Sequence, residues 1–168
     1  MATLTVTLTE SLPDYNGSDN DLTLTNALTI SGVDDIYHRI ITCPAADGGI
    51  SGTTLVKFSA AVNTVDGAAA LDLDNVKYIR VTNLDSSNSI TLSLQVSNDE
   101  DGAADFSSSI LLEAGKSFIM GSPSDGIVVN SAAATPITAL SSLVNLESII
   151  VDPLSEACKV EVFIASVV

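Results

Sequence analysis

The feature that most constrains this chain is a period of two. Leu4, Val6 and Leu8 alternate with Thr3, Thr5, Thr7 and Thr9. Leu22, Leu24, Leu28 and Ile30 keep one parity. Ile90, Leu92, Leu94 and Val96 alternate with Ser89, Thr91, Ser93 and Gln95, and Cys158, Val160, Val162 and Ile164 with Lys159, Glu161, Phe163 and Ala165. Successive side chains of a strand point to opposite faces, so the pattern marks strands with one face in a core and one toward solvent. Denser apolar runs at 36–42, 55–61, 76–81, 127–129 and 147–151 predict strands covered on both faces. Shorter strands fit 107–112 and 117–120. The total is about eleven strands.

Turn chemistry separates these segments. A polar loop, Asp14 to Asp21, follows Pro13, and Asp47-Gly48-Gly49 and Asp66-Gly67 are turn sequences that tolerate positive φ. Leu84-Asp85-Ser86-Ser87-Asn88 reads as a hairpin loop, and Ala114-Gly115-Lys116 as a tight turn with Gly115 left-handed. Asp outnumbers Glu by 15 to 6, which favours loops over helices. Ala68-Ala69-Ala70-Leu71 fits one helical turn, and residues 131–146 fit either a short helix or an extended Ala/Ser loop. The pattern predicts an all-β fold: an antiparallel β-sandwich, jelly-roll-like with added strands. Residues 1–12 form an N-terminal strand, either the first strand of the sandwich or an arm exchanged with a neighbour. Residues 13–168 form a single β-sandwich domain.

Composition narrows the function classes. A chain of 168 residues is one domain and buries roughly 70% of its unfolded surface. Charged residues are 16%, against about 25% in ordinary domains, while Ser and Thr number 22 and 15. The net charge of -15 repels a polyanion, so no nucleic-acid partner is expected. The first residues carry no basic, apolar signal pattern, and no apolar stretch reaches the roughly 18 residues of a membrane helix. The expectation is synthesis in a cytoplasm and no membrane partner. Cys43 and Cys158 each sit in an apolar strand pattern and read as buried free thiols, with a late disulfide as the alternative.

Catalytic chemistry is thinly represented. The only histidine, His38, lies in a strand pattern and reads as solvated or at an interface. Gly121-Ser122-Pro123-Ser124-Asp125-Gly126 fails the nucleophile-elbow pattern and reads as a turn. Carboxylate pairs occur at Asp34-Asp35, Asp72 with Asp74, and Asp99-Glu100-Asp101. The absence of Trp weighs against a sugar cleft. No enzyme and no cofactor are expected. The metal hypothesis is calcium, held by Asp99, Asp101 and Asp105 around Gly102 or by the Asp14 to Asp21 loop, against solvated acidic loops.

Three segments carry a resemblance. Val76 to Asp85 (VKYIRVTNLD), Ser89 to Leu94 (SITLSL) and Ile110 to Ile119 (ILLEAGKSFI) together resemble small virion structural proteins of tailed bacteriophages. Those proteins place a strand, an Asn-Leu-Asp turn, a strand and a Leu-x-Ala-Gly-x-Ser-Phe segment in this order within a β-sandwich. The resemblance lies within residues 76–119, a stretch of about a quarter of the chain, and brings no catalytic residue with it. It implies a structural role on a capsid or tail. The leading expectation is a capsid decoration (cement) protein, a homotrimer on the outer capsid surface bound to the major capsid protein. A tail, neck or fibre component comes second, and a receptor- or glycan-binding module third. The low-charge, Ser/Thr-rich composition suits symmetric assembly, since few long charged side chains lose entropy at an interface. Ala132-Ala133-Ala134-Thr135-Pro136-Ile137 is small and stiff enough to pack near a symmetry axis, or else is an exposed loop.

Overall fold

Strand parity sorts the chain into sheets. The computed structural model describes residues 1–13, 21–45, 52–59, 70–97, 106–121, 128–130 and 143–167. The strands are β1 (Ala2–Leu12), β2 (Leu22–Val33), β3 (Asp35–Cys43), β4 (Thr53–Ser59), β5 (Ala70–Asp72) and β6 (Val76–Asn83). They continue as β7 (Ile90–Ser97), β8 (Phe106–Leu112), β9 (Ser117–Gly121), β10 (Val128–Asn130), β11 (Leu143–Asp152) and β12 (Cys158–Ser166). The protein is all-β: among the described residues the only helical element is a single 3-10 turn at Leu73–Asn75. Its N-cap is Asp72, whose carboxylate accepts from the Asp74 N–H at 3.1 Å and the Asn75 Nδ2 at 3.2 Å.

Three sheets result. One has six strands, ordered β5-β4-β11-β7-β8 with β10 also on β11. A second has four, ordered β3-β12-β6-β9. The third is a two-stranded ribbon of β1 and β2. Every pairing is antiparallel except that of β4 with β5.

The two larger sheets share one core. Cys158, Val160, Val162 and Ile164 of β12 join Ile79 and Val81 of β6 in a cluster with Leu92 of β7 and Leu146, Ile149 and Val151 of β11. All of these are essentially inaccessible to solvent. Each such side chain contributes about 1.5–3 kcal/mol relative to exposure, which is why the alternation of β12 and β7 fixes their register so firmly.

Three expectations are corrected. Leu84–Asn88 does not close a hairpin, because β6 and β7 lie in different sheets; the segment is a corner that carries the chain across the core. Asn83, fully buried, organises it: its Nδ2 donates to Asn88 O at 2.8 Å and Leu112 O at 3.1 Å, and its Oδ1 accepts from the Asp85 N–H at 3.0 Å. The Asp85 carboxylate then accepts from the N–H groups of Ser87 and Asn88. Those bonds hold its pKa below the ordinary aspartate range. Second, the Ala-rich segment before Leu71 does not form its helical turn at Ala70–Leu71: both lie in β5, paired in parallel with Lys57 and Phe58 of β4. Third, β3 is not covered on both faces by described residues, since Ile36 and Ile40 are 52% and 60% exposed. Gly115 has φ 70°, the left-handed conformation expected of it. Residues 131–142, with the Ala132 to Ile137 segment, lie outside the described residues; Leu143–Leu146 belong to β11.

Candidate functional site

The outer face of the four-stranded sheet is where polar and apolar groups converge. Register aligns its residues in rows. Ile36, Ala165, Tyr78 and Gly121 form the first, then His38, Phe163, Arg80 and Ile119, then Ile40, Glu161, Thr82 and Ser117. These are the alternate residues of strands whose other face makes the core.

The ribbon covers Ala165 and Tyr78 of the first row and leaves Ile36 half exposed. Leu4, Val6, Leu28 and Ile30 share one face of the ribbon, as Leu4↔Ile30 and Val6↔Leu28 pairs. With Val33 they pack on Tyr78, Ala165 and Phe163. Leu28 approaches Gly121 so closely that a Cβ there would stand 3.3 Å from Leu28 Cδ2. The absence of a side chain at Gly121 lets the ribbon lie down on β9. Between β1 and the sheet runs a cleft of about 300 Å3 lined by Leu4, Thr5, Val6, Thr7, Tyr78, Arg80 and Phe163. That is the lower end of the size range of small-molecule sites.

Polar groups occupy the second and third rows. Glu161 bridges two side chains: its Oε1 accepts from His38 Nε2 at 2.9 Å and its Oε2 from Arg80 Nη2 at 2.8 Å. The His38 hydrogen bond first, then the Arg80 charge, hold the Glu161 carboxyl below the ordinary glutamate range, although burial acts in the opposite direction. Phe163 sits beneath, with the His38 ring at 6.0 Å, the Tyr78 ring at 6.1 Å and the Arg80 guanidinium carbon 5.6 Å from its centroid. The Nε of Arg80 is buried and has no hydrogen-bond partner among the described residues.

The arrangement sets a cross-strand polar network beside exposed apolar side chains on one sheet face. His38, on an exposed strand face, is engaged through its Nε2 by the Glu161 carboxylate. Cys43 and Cys158 are direct register partners across β3 and β12, and both are buried free thiols. Burial is the main cause that raises the pKa of each. The calcium candidates Asp99, Asp101 and Asp105 lie outside the described residues, as do residues 14–20 of the acidic loop. Among the described residues no group of three or more His, Cys, Asp or Glu is placed to hold a metal ion. No described helix is long and apolar enough to cross a membrane.

The ribbon continues beyond its contact with the sheet. Its pairing runs from Thr3↔Ser31 to Leu12↔Leu22, with the one irregularity at Ala2/Thr3. On the same face as Leu4 and Val6 stand Leu8, Leu12, Leu22 and Leu24, at 56%, 50%, 40% and 53% exposure. Sequence alternation located these leucines; it could not show that a single ribbon face is half docked and half free, because that depends on where the sheet beneath it ends. Neither a family model, nor a curated protein, nor a solved structure matches the chain.

Proposed function

We propose that this chain is a non-enzymatic virion structural protein: a capsid decoration (cement) protein that binds the outer coat, formed by the major capsid protein, as a homotrimer. The observation that carries this reading is the ribbon, whose apolar face runs on past the body with four leucines half exposed. Large apolar side chains grouped on a projecting element mark a surface for protein contact. A chain of net charge -15 is also suited to a coat exterior, away from packaged nucleic acid.

The strand order supports a jelly-roll reading of the sandwich. Setting aside the ribbon, β5 and β10 leaves eight strands, β3, β4, β6, β7, β8, β9, β11 and β12. Numbered 1 to 8 in that order, one sheet reads 1-8-3-6 and the other 2-7-4-5. The pairs 1-8, 2-7, 3-6 and 4-5 are all antiparallel, as in one long hairpin rolled into two sheets. That architecture recurs in capsid proteins but also in lectins and cupins, so it supports the assignment by analogy alone.

The test is stoichiometry. Quantitative mass spectrometry of virus particles purified from a host carrying the gene is expected to find on the order of hundreds of copies per particle, as repeated coat symmetry requires. About a dozen copies would move the chain to a tail or neck, and its absence from particles would overturn the reading.

A further inference from the structure

We infer that the free half of the ribbon docks on the outer sheet face of a second copy of this chain, over Ile36, Ile40 and Ile119. The inference rests on the ribbon being a docking element, as proposed above, and names what it meets. Within one chain the ribbon face already packs on this sheet face, through Leu4, Val6, Leu28 and Ile30 on Tyr78, Ala165 and Phe163. Both surfaces continue past that contact. On the ribbon the continuation is Leu8, Leu12, Leu22 and Leu24; on the sheet it is Ile36, Ile40 and Ile119, at 52%, 60% and 49% exposure. A contact of the same chemistry is thus half made, with a remainder on each side.

The remainders cannot meet within one chain. From Thr3 to Leu12 the ribbon pairs without a bulge, so it does not turn back sharply at Leu8. Its 11-residue first strand spans roughly 35 Å, and the outer leucines, on the same face as the inner ones, stay 40–56% exposed. Charge also favours a second copy. The ribbon face carries one charged side chain, Glu10, in register with Leu24. The sheet face carries the cations Arg80 and Lys159 against the single carboxylate Glu161. In a chain with 6 Lys and Arg and 21 Asp and Glu, this face offers an acidic ribbon a place without net repulsion. Because the two patches differ, each contact leaves one ribbon and one face free, and association closes as a ring where the rotation between copies permits it. A ring of three is the form that the trimeric reading requires.

Three proteins test this: the wild type, a ribbon variant (Leu12→Thr, Leu22→Thr, Leu24→Thr) and a face variant (Ile36→Thr, Ile40→Thr, Ile119→Thr). Threonine keeps strand propensity and continues the pattern of the ribbon's opposite face. Light scattering and sedimentation are expected to show a wild-type oligomer. Each variant alone should associate at least roughly a hundredfold more weakly. An equimolar mixture should regain dimers, since the face variant has a sound ribbon and the ribbon variant a sound face. A monomeric wild type, or a face variant that assembles like the wild type, overturns the inference; so does a ribbon variant that still assembles. Should either variant fail to fold, hydrogen exchange on the wild type decides. Peptides covering residues 8–12, 22–26, 36–40 and 117–120 should gain protection together as concentration rises, and no gain overturns the proposal. Failure here is separable from failure of the decoration reading. A wild-type monomer found abundantly in particles leaves that reading standing, whereas a ribbon-dependent oligomer absent from particles leaves only the self-association.

Discussion

The two faces of the four-stranded sheet are built from the same strands and obey opposite rules. On the inner face Val160, Val162 and Ile164 of β12 are fully buried against the larger sheet. On the outer face the intervening Glu161 and Phe163 are only partly covered, and Ile36, Ile40 and Ile119 stand half exposed. The inner face specifies the fold, because a shift of one residue in register would put its whole apolar set into water. The outer face is free to carry an ion-pair network, a ribbon and half-exposed isoleucines. In this molecule the packed core and the exposed polar network lie on the two sides of a single sheet.

That division is broken most severely from the inside. Ile164→Ala or Leu92→Ala should cost about 2–5 kcal/mol in urea unfolding, from lost transfer energy plus an unfilled cavity. Ile40→Ala on the outer face should change stability by no more than about 0.5 kcal/mol. Similar losses at the two positions would show that the faces are not distinct. The next largest effect is expected at the corner between the sheets. Asn83→Ala removes the partners of the Asn88 and Leu112 carbonyls and of the Asp85 N–H. It should destabilise by about 2–3 kcal/mol, read as a lower urea midpoint with an unchanged slope.

Asn83 also shows where sequence reading stops. The alternations of Leu4 to Leu8, Ile90 to Val96 and Cys158 to Ile164 were legible, because burial of one face writes itself into every second residue. The corner was not. Leu84-Asp85-Ser86-Ser87-Asn88 has turn chemistry that serves a hairpin or a crossing between sheets equally well. What decides is a buried amide that reaches Leu112, far along the chain. At Ala70–Asp72 local preference for a helical turn yields to parallel pairing with β4, a tertiary contact with no local signature. The burial of Cys43 and Cys158 could be read from their apolar strands, but their placement opposite each other depends on the register of β3 with β12. At the candidate site, His38, Arg80, Glu161 and Phe163 gave no motif, because a cross-strand network draws one or two residues from each of several distant strands. An apolar residue at Ile36 or Ile40 implies burial, and the sequence does not say whether the cover belongs to the same chain.

The ribbon offers a milder way to sharpen the comparison. Gly121→Val places side-chain atoms where Leu28 Cδ2, Lys77 O and the Tyr78 ring already lie within 3.3–3.4 Å of a Cβ. The backbone there needs no special conformation, so the effect reads sterics alone. Overpacking at this contact should cost about 1–2 kcal/mol. It should also raise the rate of proteolytic cleavage within residues 1–33 while the rest of the chain stays resistant. Uniform loss of resistance would mean that the ribbon is integral to the core and not an appendage on the outer face.

The smallest effect concerns the ion-pair network, and its sign follows from Glu161. The carboxylate is held in its charged form by His38 and Arg80, so its pKa is lower folded than unfolded. The folded state therefore binds its proton less readily than the unfolded chain does. The network's stabilisation is complete above the ordinary glutamate range and is lost as pH falls through the depressed folded value. Arg80 and His38 are 36% and 52% exposed in their side chains, so solvent screens both pairs. The gain is accordingly limited to about 1 kcal/mol or less, shrinking further in salt. Glu161→Gln should lower stability by that amount at neutral pH and by nothing at a pH where Glu161 is already protonated. Unfolding midpoints of the two proteins should thus converge on acidification. Midpoints that stay apart at low pH would show that Glu161 contributes by packing on the outer face and not by its charge.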